Sequence, residues 1–102
     1  MVRRRRKIVW SKNAISTRKN IFIYWNNRNK SKIYSKKLHQ LFIEALEIVA
    51  NYPKMAISTD VTNVRLKLVN DYYLIYQLTS KDIILVVDIW DTRQNPQDFP
   101  IK

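Results

Sequence analysis

Apolar residues recur along this chain with two distinct periods, and the switch between them divides it into elements. Ile8, Val9 and Trp10 predict a short strand over residues 7–10, starting as early as Arg5. Ser11 is a helix N-cap residue. After it, Ala14, Ile21, Tyr24, Trp25 and Arg28 share one helical face. Arg18 occupies a place on that face where an apolar residue is expected. The stretch from Asn26 to Ser31 breaks this first helix. A stronger stripe follows, through Tyr34, Leu38, Leu41, Phe42, Ala45, Ile48, Val49 and Tyr52, and predicts a helix from about Ser31 to Tyr52. Pro53 ends it. The connection is short, so the two helices should form an antiparallel hairpin.

Beyond Pro53 the period becomes two. Val64-Arg65-Leu66-Lys67-Leu68 alternates strictly, as a half-buried strand does. Asn70-Asp71 is a turn, Tyr72 to Thr79 is a second strand, and Ser80 to Asp82 turns again. Ile83 to Trp90 is almost wholly apolar, which suits a strand covered on both faces. Asp91 to Lys102 is a polar tail with Pro96 and Pro100 and is expected to be irregular. The fold class predicted is α+β: an N-terminal strand, a two-helix antiparallel hairpin, then a three-stranded antiparallel meander, with the helices on one face of the sheet. A site is expected on the opposite face or in the tail.

The 102 residues suffice for a single domain over 1–102, in which residues 1–6 form a basic arm. Twelve aromatics and 46% apolar content support a core. Charge changes the picture more. The net formal charge is +11, and the first 43 residues hold thirteen Lys or Arg and no Asp or Glu. All eight acids lie between Glu44 and Asp98. Such a surface attracts a polyanion: nucleic acid, an anionic membrane or an acidic protein. The membrane reading is the weakest, because the Arg3–Lys7 run lacks an amphipathic apolar face.

Cysteine is absent, which removes disulfides and thiolate chemistry. Glycine is absent too, so no P-loop or dinucleotide fingerprint can form. His39 is the sole histidine, at the margin of the second helix's stripe. No metal and no cofactor are expected. The apolar run after the basic N-terminus is too short for a signal peptide, which needs roughly 7–15 residues. The chain is expected to be cytoplasmic.

Several strings in this order resemble the RelE/ParE family of toxins from bacterial type II toxin–antitoxin systems. They are Val9-Trp10-Ser11 with Ala14, Ile21 and Tyr24-Trp25, the helix end at Tyr52-Pro53, Val64-Arg65, Tyr73-Leu74-Ile75-Tyr76, and Asp88-Ile89-Trp90-Asp91-Thr92-Arg93-Gln94-Asn95-Pro96. The resemblance spans about Lys7 to Phe99. It implies a toxin neutralised by a cognate antitoxin with an acidic toxin-binding segment. It also implies one of two targets: RelE-like members cut mRNA in the ribosomal A site, and ParE-like members poison DNA gyrase. Ribosome-dependent mRNA cleavage is the preferred expectation, by a metal-independent endoribonuclease. Gyrase poisoning is the alternative, and a non-catalytic basic module that binds nucleic acid or a partner is the third reading.

The resemblance also suggests roles for residues. Arg65 matches a strand arginine that helps hold the scissile phosphate in RNA-cutting members, a task suited to a guanidinium fork. By spacing alone it reads first as the outward residue of an alternating strand. Arg93 matches an arginine after the last strand and is expected near Arg65 if that strand is central. Its other reading is an ion pair with Asp91 or Asp98. Asp91 stands where some RNA-cutting relatives have histidine, and it can serve as a general base only if burial raises its pKa. Gln77 and Asp88 replace arginines common in the family. Tyr73 and Tyr76 should face opposite sides of one strand, and the exposed one can stack on a base, as can Trp90. Arg3, Arg4, Arg5, Arg6 and Lys67 complete the set of expected nucleic-acid contacts.

Overall fold

The computed structural model describes residues 5–99. Arg3 and Arg4 of the expected arm, and the tail beyond Phe99, lie outside them. The order of elements is β1 (Lys7–Trp10), α1 (Lys12–Asn29), α2 (Ile33–Asn51), β2 (Ile57–Ser58), β3 (Val64–Val69), β4 (Tyr72–Leu78) and β5 (Ile83–Asp91), then a 3-10 turn at Pro96–Asp98. The five strands form one sheet in the order β1-β5-β4-β3-β2. β1 runs parallel to β5, and every other pairing is antiparallel. The α+β class and the helical hairpin are as expected. The sheet has one strand more than expected, because Ile57 and Ser58 pair with Leu66 and Arg65 at its edge.

Local chemistry accounts for the helix ends. The Ser11 hydroxyl accepts from the Ala14 backbone N–H and donates to Val87 O, which fixes the start of α1 against β5. α1 continues through Asn26 and Asn27 to Asn29 and closes on Lys30 in the left-handed region. The expected break at Asn26 does not occur. Asn26 stays helical and its side-chain carbonyl accepts from the Ser35 hydroxyl, tying the two helices together. With no glycine in the chain, positive φ among the described residues falls to Lys30, Asn63 and Asn70. Asparagine tolerates that region better than most residues.

The principal core lies between the hairpin and the sheet. Leu38, Phe42, Ala45 and Leu46 of α2 and Ala14 of α1 meet Val69, Tyr72, Leu74, Val86 and Ile89. Arg18 joins this side through its guanidinium, which lies 4.4 Å from the centre of the Trp10 ring. The aromatic face offsets its charge there. In β5, Val86 pairs with Tyr76 and Asp88 with Ile75, so a bulge leaves Val87 without a cross-strand partner. The shift lets Val86 and Ile89, an odd number apart, both enter the helix-side core.

Cross-strand partners share a face, so the register assigns the sheet side chains to sides except at the bulge, where Asp88 pairs with Ile75 yet accepts from Thr17 of α1. Arg65 opposes Tyr76 and Lys67 opposes Leu74, both on the helix side. Val64, Leu66, Ile75 and Tyr73 take the other side, joined by Val87 and Trp90. The tail is not irregular throughout: Phe99 folds back to 5.4 Å from Trp90 and 6.0 Å from Tyr73, centroid to centroid. The N-terminal arm is also anchored where described. Arg5 pairs with Glu47 on α2, and the Arg6 N–H donates to Ala50 O.

Tyr76 is fully buried and its hydroxyl donates to Pro53 O at 2.7 Å, pinning the loop after α2. Burial pushes its phenol up to about 12, opposed by the nearby Arg65 charge. A folded pKa above the unfolded value of about 10 means that the native state holds a proton the unfolded chain releases. The contribution is therefore complete below about pH 10 and lost as pH rises towards 12. Urea titrations from pH 8 upward should show wild type losing roughly 2–3 kcal/mol across this window. Tyr76→Phe should begin less stable and lose less; equal pH slopes for the two proteins would refute the assignment.

Candidate functional site

The register separates the two arginines that the sequence singled out. Arg65 lies opposite Tyr76, and Asp91, two residues before Arg93, lies opposite Tyr72. Tyr72 and Tyr76 are about 13 Å apart along β4 at the rise of an extended strand. Arg65 Nη1 donates to Lys54 O at 3.1 Å and to Ala56 O at 2.9 Å, so it holds the loop between α2 and β2. Arg93 donates to both oxygens of Asp91, at 3.0 and 2.8 Å, and its guanidinium lies 5.4 Å from the Trp25 ring centre. It clips the end of β5 to α1. The expectation that the two would face one phosphate is corrected by this register: β5 lies in the interior of the sheet, but the arginines occupy opposite ends of the strands.

Asp91 is shifted the wrong way for a base. The Arg93 guanidinium and backbone N–H hold its carboxyl below the ordinary carboxylate value, outweighing the opposing effect of burial. General-base catalysis near neutral pH needs the reverse. Around it, Thr17, Asn20 and Tyr24 of α1 and Asp88, Asp91 and Arg93 line a cleft of about 360 Å³. Its groups largely satisfy one another. The Thr17 hydroxyl donates to Asp88 Oδ1, and Trp25 Nε1 donates to the Tyr72 hydroxyl, both at 2.8 Å. Trp90 lies at its rim and also meets Phe99 on the far side of the sheet.

Tyr73, the half-buried member of its pair, takes the face away from the helices, while Tyr76 is core. Lys67 is half-buried on the helix side of β3. From β3 to β5 the face away from the helices carries Val64, Leu66, Leu68, Tyr73, Ile75, Val87 and Trp90, with Gln77 opposite Val64. None of these is cationic. Among the described residues no group of three or more His, Cys, Asp or Glu is placed to hold a metal ion. No helix there is long and apolar enough to cross a membrane.

Two features were missed by sequence reasoning. One is a groove of about 550 Å³ between α1 and α2, floored by Ile15, Phe22 and Ile23 and rimmed by Arg18, Lys19 and Lys36. His39 sits in its wall with its ring edge-on to Phe22. Exposed Ile15 and Ile23 next to basic positions were a legible signal, since they lie off the buried face of α1. The other is a cleft of about 350 Å³ at the C-terminal end of α2, where Arg6, Lys54 and Lys81 meet. Those three are far apart in sequence, and no periodicity joins them.

Residues 8–96 match the family model of the ParE toxin of the type II toxin–antitoxin system parDE. The fold is similar to that of a solved chain titled chromosomal ParDE TA system from P. aeruginosa. The TM-score is 0.70 at 12% identity, over 84% of this chain and 95% of that one. No curated protein matches the sequence.

Proposed function

Because the chain belongs to the ParE toxin family of type II toxin–antitoxin systems, we propose that it arrests growth by binding DNA gyrase and trapping its cleaved DNA complex, without cutting RNA itself. The observation that carries this reading is the separation of Arg65 from Arg93. In-line attack by a ribose 2′-hydroxyl needs cations converging on one phosphate and a base near it with a pKa close to the working pH. Here each arginine is engaged with its own partners, and the carboxylate beside Arg93 is a weakened base. The face from β3 to β5 with Tyr73 and Trp90 instead carries aromatics and no cation to hold a phosphate.

The test uses purified gyrase and supercoiled plasmid. With the toxin present, linear DNA should accumulate once the complex is denatured. Ribosome-bound mRNA treated in parallel should carry no toxin-dependent A-site cuts. Cuts in the mRNA with gyrase unaffected would overturn the proposal and restore the RNA-cutting reading.

The neutralising partner is an antitoxin, and the groove between α1 and α2 is the surface that suits it. Its apolar floor and cationic rim are complementary to an amphipathic helix with apolar residues on one side and Asp or Glu on the flanks. The basic hairpin from Lys12 to Lys37 then finds its counter-charge in the partner.

A further inference from the structure

The cleft at the C-terminal end of α2 is built from three separate segments, each fixed by the backbone. Arg6 precedes β1; its N–H donates to Ala50 O at 3.1 Å and its Nε to Lys81 O at 2.9 Å. Among the described residues its two terminal guanidinium nitrogens make no hydrogen bond. Lys54 sits on the loop after α2. Arg65 holds that loop through Lys54 O and Ala56 O, and Tyr76 holds it through Pro53 O. Lys81 lies in the turn between β4 and β5, where the Asp82 N–H donates to the Ser80 hydroxyl and the Lys7 N–H to Asp82 O. Among the described residues no acidic side chain lines the cleft, and Met55 and Tyr52 complete its wall.

We infer that this cleft binds the phosphodiester backbone of nucleic acid. Three unit positive charges converge there, against roughly half a negative charge from the end of α2. The balance strongly favours an anion. The two ammonium groups serve as point charges, and the guanidinium, steadied at Nε, offers its outer fork to phosphate oxygens. Exposed Met55 offers an apolar wall for a sugar or base. The net charge of +11 adds long-range attraction for a polyanion over a small phosphate. Arg65 is thereby a positioning residue for Lys54. The site does not depend on gyrase being the target.

The test is fluorescence anisotropy of the full chain with a labelled duplex DNA and a single-stranded RNA of equal length, over a range of salt. Lys54→Gln with Lys81→Gln should weaken binding at least about tenfold and reduce the slope of log K against log salt by about one to two. Lys36→Gln with Lys37→Gln removes the same charge from the hairpin and should change affinity less than about threefold. All four lysines are exposed, and circular dichroism verifies that both variants stay folded. Equal weakening by the two pairs, or an unchanged salt slope in the cleft variant, would overturn the inference. Loss on DNA alone identifies DNA as the source of the phosphodiester, and loss on RNA alone identifies RNA; either supports the site. Because bare nucleic acid is the ligand, a negative gyrase assay leaves this result intact.

Discussion

Phe42→Ala should destabilise the protein by about 3–5 kcal/mol. Phe42 is fully buried in α2 and touches both of its neighbouring layers. Its ring stacks on Phe22 of α1 at 6.3 Å and meets Tyr72 of β4 edge-on at 5.9 Å. Truncation removes the apolar burial and both ring contacts, and leaves a cavity that a helix pinned at both ends cannot close. Small domains retain only about 5–15 kcal/mol in total, so the loss is a large share of the stability. Ile33→Ala is the contrast, since Ile33 is 79% exposed at the start of α2; it should shift stability by no more than about 0.5 kcal/mol. Urea unfolding measures both. A cost below about 1.5 kcal/mol for Phe42→Ala would mean that the hairpin is not seated on the sheet through this ring.

The α2 stripe shows why that residue was legible. Leu38, Phe42, Ala45 and Val49 were on the predicted face and are buried. Ile48 and Tyr52 were on it too, yet they are exposed, while Leu46 and Ala50 are buried. The stripe rotates towards the C-terminal end because the chain before β1 crosses there, with the Arg6 N–H on Ala50 O. A contact from so far along the chain leaves no trace in local periodicity.

The strands show a different limit. Alternation in Val64-Arg65-Leu66-Lys67-Leu68 told which residues share a face but not which face meets the helices. Polar side chains are expected outward, and here they point to the helix side. β3 lies towards the edge of the sheet, where Arg65 turns under the loop after α2 and Val64 and Leu66 pack with Ile75. Strand order, the two-residue β2 and the bulge at Val87 arise from pairing between distant segments and were equally invisible. The family resemblance supplied the element order correctly, but its residue roles assumed a convergence of Arg65 with Arg93 that the register does not provide.

Ile23→Glu combined with Lys19→Glu and Lys36→Glu should abolish neutralisation while leaving the toxin toxic. All three side chains are exposed and line the groove between α1 and α2. None joins the buried core, so the fold should tolerate the changes. The apolar anchor at Ile23 is worth about 1–3 kcal/mol if a partner covers it. Turning two rim cations into carboxylates sets like charges against an acidic segment, at several kcal/mol more. Together they should weaken the toxin–antitoxin complex by a factor of roughly a thousand to ten thousand. Calorimetry with the purified antitoxin reads the affinity. Co-expression reads the consequence: wild type with antitoxin grows, and the variant with antitoxin should not. Growth of the variant alone would show that the groove serves the toxic activity instead. Undiminished affinity would place the antitoxin elsewhere on the surface, and the cationic rim would then be left to another acidic partner.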